Sequence, residues 1–204
     1  MCVWRFSAFT APPRERCFLW LVTNATYSYT SRADGHLNPP ANPDRTVSTG
    51  PVRVAVLGAG AWARHAHLPG YLRDSRCKVV AIADPNRALA EQAATDFGIP
   101  VIARDHTEVV GRDDVDMVDV CTPSATHFDL SMAALEAGKH VLCEKPVAFD
   151  YRETLRAASI ARSKKLKTRL GFTFRFSPAM QYMKALIDEG FIGRPFIFLS
   201  LIHI

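Results

Sequence analysis

Apolar and polar positions alternate in regular blocks from about residue 51 to residue 190. Short apolar runs predict strands at 52–57, 78–83, 100–103, 116–121, 139–143 and 168–171. The segments between them predict helices at 62–72, 86–97, 125–137, 150–163 and 177–189, with one more helical turn near 107–110. Because strands that alternate with helices form parallel sheets, the pattern predicts an α/β fold with a doubly wound parallel sheet.

The first fifty residues follow no such pattern. They hold five of the 13 prolines and no sustained period, so residues 1–50 are expected to be a disordered or non-native leader. The protein is expected to be cytoplasmic. Because the leader has few acidic and many hydroxyl residues, an organelle transit peptide is the alternative. The first folded domain is therefore predicted to span residues 51–171.

A glycine turn follows the first predicted strand. Gly58 permits the tight turn, and Gly60 has no side chain to hold the backbone away from a pyrophosphate. Ala63 is small enough for the next helix to pack closely on its strand. This order is typical of a Rossmann-type dinucleotide site, in which Gly58, Gly60, Ala61 and Trp62 are candidate cofactor contacts near a helix N-terminus that favours negative charge.

An acidic residue ends the second predicted strand. Asp84 can accept hydrogen bonds from the adenosine ribose hydroxyls and would repel a 2′-phosphate, which favours NAD over NADP. Arg87 could neutralise such a phosphate, so NADP stays possible. His65 and His67, beside the glycine turn, are interpreted as packing or surface histidines.

Composition excludes several function classes. The chain has 204 residues, of which 48% are hydrophobic and 22% charged, with a net charge of +5, as is ordinary for a globular protein. Its basic residues lack the aromatic interleaving or motif of a nucleic-acid site, and no apolar stretch reaches the length of a membrane span. Five cysteines without a C-x-x-C pair indicate no metal site, and Cys121 and Cys143 are expected to be buried free thiols.

A second candidate site follows the fifth predicted strand, at Glu144-Lys145-Pro146. Taken alone, this triplet fits a charged surface turn. The carboxyl ends of parallel strands share one edge of the sheet, however, so the turn is expected to face the same cleft as the glycine loop. There a lysine can donate a proton or a hydrogen bond to a substrate oxygen, and its charge favours alkoxide formation.

With these motifs in this order, the chain resembles the glucose–fructose oxidoreductase / inositol dehydrogenase (Gfo/Idh/MocA) family from about Val52 to Phe198. The stretches that carry the resemblance are Gly58-Ala59-Gly60-Ala61-Trp62-Ala63, Ala83-Asp84-Pro85, Val118-Asp119-Val120-Cys121-Thr122-Pro123 with His127, Ala137 to Pro146, Gly171 to Pro178, and Gly190 to Pro195.

The resemblance implies a nicotinamide-dependent oxidoreductase that moves hydride to or from a carbon bearing a hydroxyl or carbonyl group. It implies that Lys145 is the general acid/base or an electrophilic helper, and that Glu144 lies beside the nicotinamide ribose. Thr122 and Pro123 would line the cofactor's path with His127 near it, although a structural hydrogen bond is an equal alternative for His127. A non-catalytic regulator that senses the redox ratio is the alternative function.

Family members also carry a large second domain that shapes the substrate site and supports oligomers. Residues 172–204 resemble only the start of that α+β domain. The final apolar run with His203 resembles its first strand, or the start of that strand followed by a few non-native residues. We therefore expect a cofactor-binding fragment with little turnover by itself. The whole protein is expected to be a homo-oligomer acting on a sugar or polyol.

Overall fold

The structure, a computed structural model, describes residues 50–194. The predicted leader and the terminal apolar run with His203 lie outside these residues. The chain divides after Leu170 into two compact units, which are described separately.

The first unit contains a six-stranded sheet with helices between its strands. The strands are β1 (Val52–Leu57), β2 (Cys77–Ala83), β3 (Val101–Ile102), β4 (Met117–Val120), β5 (His140–Cys143) and β6 (Thr168–Leu170). The helices are α1 (Leu68–Arg73), α2 (Arg87–Phe97), α3 (His106–Val110), α4 (His127–Glu136) and α5 (Tyr151–Ser163). Each predicted element of this unit is present, with ends that lie within two residues of their predicted positions.

All strand pairs are parallel, in the order β3-β2-β1-β4-β5-β6. The chain starts in the middle of the sheet, builds one side as far as β3, and then crosses to β4 on the other side. The connection after β1 leads to β2, and the connection after β4 leads to β5 on the opposite side of the sheet. The position between β1 and β4 is therefore the topological switch point, where doubly wound sheets bind ligands. The predicted fold class, a Rossmann-type α/β sheet, is confirmed.

The core lies on both faces of the sheet, as the continuous apolar runs of its strands require. Val54 and Val56 of β1 face one layer, which includes residues of α1 and α2. Ala55 and Leu57 face the other, with residues of α4 and α5. β1 is buried over most of its length, so it holds the glycine turn on a rigid support.

The helix predicted over 62–72 is not uniform. Its first part, Ala63–His67, is a π-helical turn in which the Leu68 N–H donates to the Ala63 carbonyl five residues back. Pro69 supplies a physical reason, because it has no N–H to offer the His65 carbonyl one turn earlier. The wider turn places both Ala63 and Leu68 in the core.

The second unit begins at Gly171 and contains a 3₁₀ turn, Thr173–Phe176, followed by helix α6, Pro178–Asp188. The Ser177 hydroxyl caps α6 by accepting a hydrogen bond from the Met180 N–H. The helix predicted over 177–189 is therefore present. No helix within residues 50–194 is long and apolar enough to cross a membrane.

Candidate functional site

Four segments that carry candidate residues follow the carboxyl ends of β1, β2, β4 and β5, as the sequence predicts. Gly58 follows β1, Asp84 follows β2, Thr122 lies just beyond β4, and Glu144 follows β5. In the parallel sheet these ends lie along one edge, where doubly wound sheets bind their ligands in a cleft across the switch point.

The two glycines of the loop meet different surroundings. Gly58 has φ +97°, and a Cβ added there would lie 2.6 Å from the Cys121 carbonyl oxygen, so only glycine fits. A Cβ added to Gly60 would meet no heavy atom within 4 Å. Gly58 therefore closes the turn against β4, whereas Gly60 leaves open space above the backbone that a pyrophosphate can occupy.

The Asp84 carboxylate ties the end of β2 to the glycine loop. Its Oδ2 accepts the Ala59 N–H at 2.7 Å, and its Oδ1 accepts the Asn86 N–H at 2.8 Å. Each carboxylate oxygen has a second lone pair, so Asp84 can still accept a hydrogen bond from a ribose hydroxyl. The residue thus has a structural role in addition to the predicted cofactor role.

Arg87 is engaged by other groups on the same side of the sheet. Its Nε lies 3.0 Å from Glu91 Oε1, and an Nη–H donates to the Ile102 carbonyl at 3.3 Å. These contacts orient the guanidinium along α2 and toward the end of β3. Because the ion pair is more than half exposed on both sides, it contributes little and leaves the NADP alternative open.

A cavity of about 390 Å³ borders the outer side of the glycine loop. Its walls come from Ala59, Gly60 and Ala61, from the helical turn that follows, and from α2. Across it, Arg64 and Asp96 form an ion pair at 2.6 Å. The loop backbone is accordingly accessible from this side.

Glu144 connects the turn after β5 to the glycine loop. Its Oε1 accepts the Trp62 indole N–H at 2.8 Å and lies 3.1 Å from His67 Nε2. The Lys145 backbone N–H donates to its Oε2 at 3.3 Å. Although Trp62 is half-exposed, its indole edge thereby joins the two candidate sites, which lie 82 residues apart in sequence.

Beneath Glu144 lies a buried hydrogen-bond cluster that the sequence analysis missed. His67 Nδ1 is 2.8 Å from Asp119 Oδ2, and the Tyr71 hydroxyl donates to the same oxygen at 2.9 Å. The Cys121 thiol approaches Asp119 Oδ1 at 3.5 Å. Asp119 has no exposed surface, so these contacts provide the compensation that a buried carboxylate needs. The interpretation of His67 as a packing or surface histidine was incomplete, whereas His65 is indeed exposed.

The cluster shifts the ionisation of its members. Burial lowers the pKa of His67, but attraction to Asp119 and hydrogen bonds to Asp119, Cys121 and Glu144 raise it by more, so the net pKa is well above the usual value. Burial raises the pKa of Glu144, yet hydrogen bonds from His67 and Trp62 outweigh it and hold the pKa below the usual value. Burial and the charge of Asp119 raise the pKa of Cys121 to about 12, so this thiol is not a nucleophile at neutral pH.

His67, Asp119 and Cys121 also place three potential metal-ligand atoms within 4.8 Å of one another. The imidazole and the carboxylate already contact each other at 2.8 Å, and Tyr71 shares the same oxygen. These direct hydrogen bonds use the atoms that an ion would need. The geometry therefore supports a hydrogen-bonded cluster.

Lys145 lies in the turn after β5, next to Glu144. Its side chain is exposed, and within residues 50–194 it forms no ion pair with a carboxylate. An ammonium group without a carboxylate partner is available to a ligand. The geometry is thus compatible with the predicted role of Lys145 as general acid.

His127 links the two loops on the β4–β5 side. It is 1% exposed, with Nδ1 2.7 Å from the Pro146 carbonyl oxygen and Nε2 2.7 Å from the Thr122 carbonyl oxygen. Both ring nitrogens thus face backbone, which favours the structural alternative for this residue. Thr122, whose hydroxyl accepts a hydrogen bond from Thr126, and the exposed Pro123 remain at the cleft.

The two predicted free thiols are confirmed in part. Cys143 is buried, whereas Cys121 is only partly so, and both are free. For the missed cluster one signal was present: Asp119 is an acid inside an apolar strand, and a buried charge requires a partner. Nothing in the sequence identifies that partner as His67, 52 positions earlier.

Comparison with known proteins agrees with this geometry. The family model described as an oxidoreductase family with an NAD-binding Rossmann fold, Gfo/Idh/MocA, matches residues 52–172. Inositol 2-dehydrogenase 4 of Saccharopolyspora erythraea is 35% identical over 148 residues, which are 72% of this chain and 44% of that protein. The scyllo-inositol 2-dehydrogenase (NAD(+)) of Bacillus subtilis is 34% identical, over 71% of this chain and 42% of its own.

Solved structures show the same similarity. The scyllo-inositol dehydrogenase of Lactobacillus casei with NAD(H) and scyllo-inositol has a TM-score of 0.66 at 28% identity, over 70% of this chain and 42% of that one. A 3-ketoreductase from Actinomadura kijaniata with NADP has a TM-score of 0.65 at 33% identity, over 69% and 43%. The chain spans less than half the length of the curated relatives it matches here. It carries an NAD-binding Rossmann domain and belongs to the Gfo/Idh/MocA family of oxidoreductases.

Proposed function

We propose that this chain supplies the cofactor-binding half of an NAD-dependent oxidoreductase, with Lys145 as the proton donor and acceptor. The observation that carries the proposal is the hydrogen bond from Trp62 to Glu144. It joins the loop suited to a pyrophosphate with the turn that carries the exposed lysine. The cofactor and the acid/base group would thereby be held on one sheet edge.

The dinucleotide would lie across the switch point. The open backbone at Gly60 and Ala61 suits the pyrophosphate, and Asp84 suits the adenosine ribose hydroxyls. On the other side Glu144 accepts hydrogen bonds and lies next to Lys145, so it suits the nicotinamide ribose. Thr122 lies between them, just past the end of β4.

Bound nicotinamide would supply the hydride acceptor or donor for the reacting carbon. In the direction of reduction, the Lys145 ammonium gives its proton to the carbonyl oxygen as the carbon gains hydride. In oxidation, the neutral amine takes the proton of the hydroxyl as the carbon loses hydride. The positive charge of the protonated lysine also stabilises the alkoxide form of the substrate.

We further propose a small sugar or polyol as the substrate, because relatives that match 70% or more of this chain include dehydrogenases named for inositols. The cofactor domain would span residues 51–171, and residues 172–204 would begin the substrate domain. A homo-oligomeric, cytoplasmic whole protein remains a prediction.

Turnover of the whole protein tests the role of Lys145. We expect Lys145→Met to lower kcat about 10²- to 10⁴-fold, the range for loss of a general acid/base, while NADH affinity changes little. Lys78→Met is the matched control, because this exposed lysine lies at the opposite end of β2. A Lys145→Met protein that keeps wild-type kcat would contradict the assignment. NADH binding without turnover in the wild type would favour the redox-sensing alternative.

A further inference from the structure

We propose that His67 and Asp119 form a buried positioning pair that holds Glu144 in one orientation, and that His67 does so as an imidazolium ion. This inference deepens the proposed function and rests on it. Neither His67 nor Asp119 is proposed to contact the substrate or the cofactor. They would act through Glu144.

The contacts of His67 decide its protonation. Its Nδ1 faces the Asp119 carboxylate at 2.8 Å and its Nε2 faces the Glu144 carboxylate at 3.1 Å. An ionised carboxylate only accepts hydrogen bonds, whereas a neutral imidazole has only one N–H. Both contacts are satisfied together when both ring nitrogens carry a proton.

The charges that face His67 support the same state. Asp119 and Cys121 approach from the β4 side and Glu144 from the turn after β5, while Tyr71 shares Asp119 from α1. The two carboxylates outweigh the cost of burying one cation. The Tyr71 hydroxyl and the Cys121 thiol are neutral hydrogen-bond donors in this arrangement, because the pKa of each is raised by burial and by Asp119.

The local backbone favours this arrangement. His67 ends the π-helical turn and packs its ring edge-on to Trp62, with centroids 6.4 Å apart. Trp62 and His67 thus hold the same Glu144 oxygen from two sides. π-helical turns within helices often occur at functional sites.

The consequence concerns only one end of the cofactor. With Oε1 fixed by Trp62 and His67, the Glu144 side chain cannot rotate away, and Oε2 beside the Lys145 N–H keeps a lone pair for a ribose hydroxyl. The adenosine end is bound by Gly60 and Asp84 instead. Loss of His67 should weaken the interaction with the nicotinamide half and spare the adenosine diphosphate half.

The test compares NADH with ADP on the full chain. We expect His67→Asn to weaken NADH binding about tenfold, since a charge-assisted hydrogen-bond network is lost, and to change ADP binding less than twofold. Asp119→Asn should do the same, and His106→Asn, on the exposed side of α3, should change neither. If wild-type NADH binding fails, the proposed function fails. If it succeeds and His67→Asn binds NADH normally, only the present inference is refuted.

A measurement on the wild type guards against variants that do not fold. Nitrogen NMR of isotope-labelled histidine shows whether each ring nitrogen carries a proton. We expect His67 to keep both protons at about pH 8, where free histidine is neutral. A singly protonated His67 at that pH would overturn the assignment, as would an equal loss of NADH and ADP affinity in well-folded His67→Asn.

Discussion

Two glycines separated by a single residue, Gly58 and Gly60, should respond to the same added methyl group in different ways. At Gly58 a Cβ would lie 2.6 Å from the Cys121 carbonyl oxygen and 2.8 Å from its carbonyl carbon, both backbone atoms. At Gly60 it would meet nothing within 4 Å. Gly58→Ala should therefore damage the fold, and Gly60→Ala should damage the binding site.

The magnitude for Gly58→Ala follows from two costs. A non-glycine residue in the left-handed region costs about 1–2 kcal/mol, and relief of an overpacked contact about 1–3 kcal/mol more. The neighbouring atoms cannot yield cheaply, because the Cys121 N–H bonds to the Leu57 carbonyl at 2.8 Å and fixes the β1–β4 junction. We expect the free energy of unfolding to fall by about 2–5 kcal/mol, the sum of the two costs.

Gly60→Ala should leave the free energy of unfolding within about 0.5 kcal/mol of the wild type, as at an open surface site. It should weaken NADH binding at least tenfold, about 1.4 kcal/mol, because the methyl group occupies the space above the loop. Urea unfolding followed by circular dichroism and titration with NADH give the two quantities for each variant. Equal stability of Gly58→Ala and wild type, or unchanged NADH affinity of Gly60→Ala, would refute this reasoning.

Two further predictions concern charge. Asp84→Ser should lower the preference for NADH over NADPH about tenfold, since the repulsion of a 2′-phosphate is lost. The measurement is the ratio of the two dissociation constants, in which general damage to the loop cancels. The control Asp114→Ser, near the amino end of β4, should leave that ratio unchanged. Because the pKa of His67 is raised on folding, its contribution to stability is complete below about pH 6.5 and is lost as pH rises. Between about pH 7 and 8.5 the loss of this contribution should lower the free energy of unfolding by up to about 1.4 kcal/mol per pH unit. His67→Asn should remove this slope in urea unfolding at stepped pH, and an unchanged slope would assign the effect to other groups. The contribution of Glu144 to stability has the opposite pH dependence, because its pKa is lowered on folding. It is present above about pH 4.5 and is lost at lower pH as the acid is protonated.

Much of the fold was predictable because its signals are local. Apolar runs of strand length, each followed by a helical segment, required a parallel sheet, and the glycine turn marked the first connection. Several strand ends moved by one residue because ladder pairing depends on the neighbouring strand, as at Val101–Ile102, where β2 supplies the partners. Local patterns carry no information about such partners.

The site was predictable only where a motif reports its own chemistry. The positions of Gly58, Asp84 and Glu144 at one sheet edge followed from parallel topology. The hydrogen bonds of Glu144 to Trp62 and His67 did not, because they join residues more than 70 positions apart. Hydrogen bonds between polar residues far apart in the chain could therefore not be predicted from the sequence alone.

The central claim, that the cleft at the carboxyl ends of β1, β2, β4 and β5 binds NAD, is tested most directly by titrating this chain with NADH, NADPH and ADP. Quenching of Trp62, measured against a Trp62→Phe control, and nicotinamide fluorescence report the binding. We predict saturable binding of one NADH per chain, tighter than NADPH and tighter than ADP. Tighter binding of NADPH would contradict the role given to Asp84, and no saturable binding of any of the three would contradict the site itself.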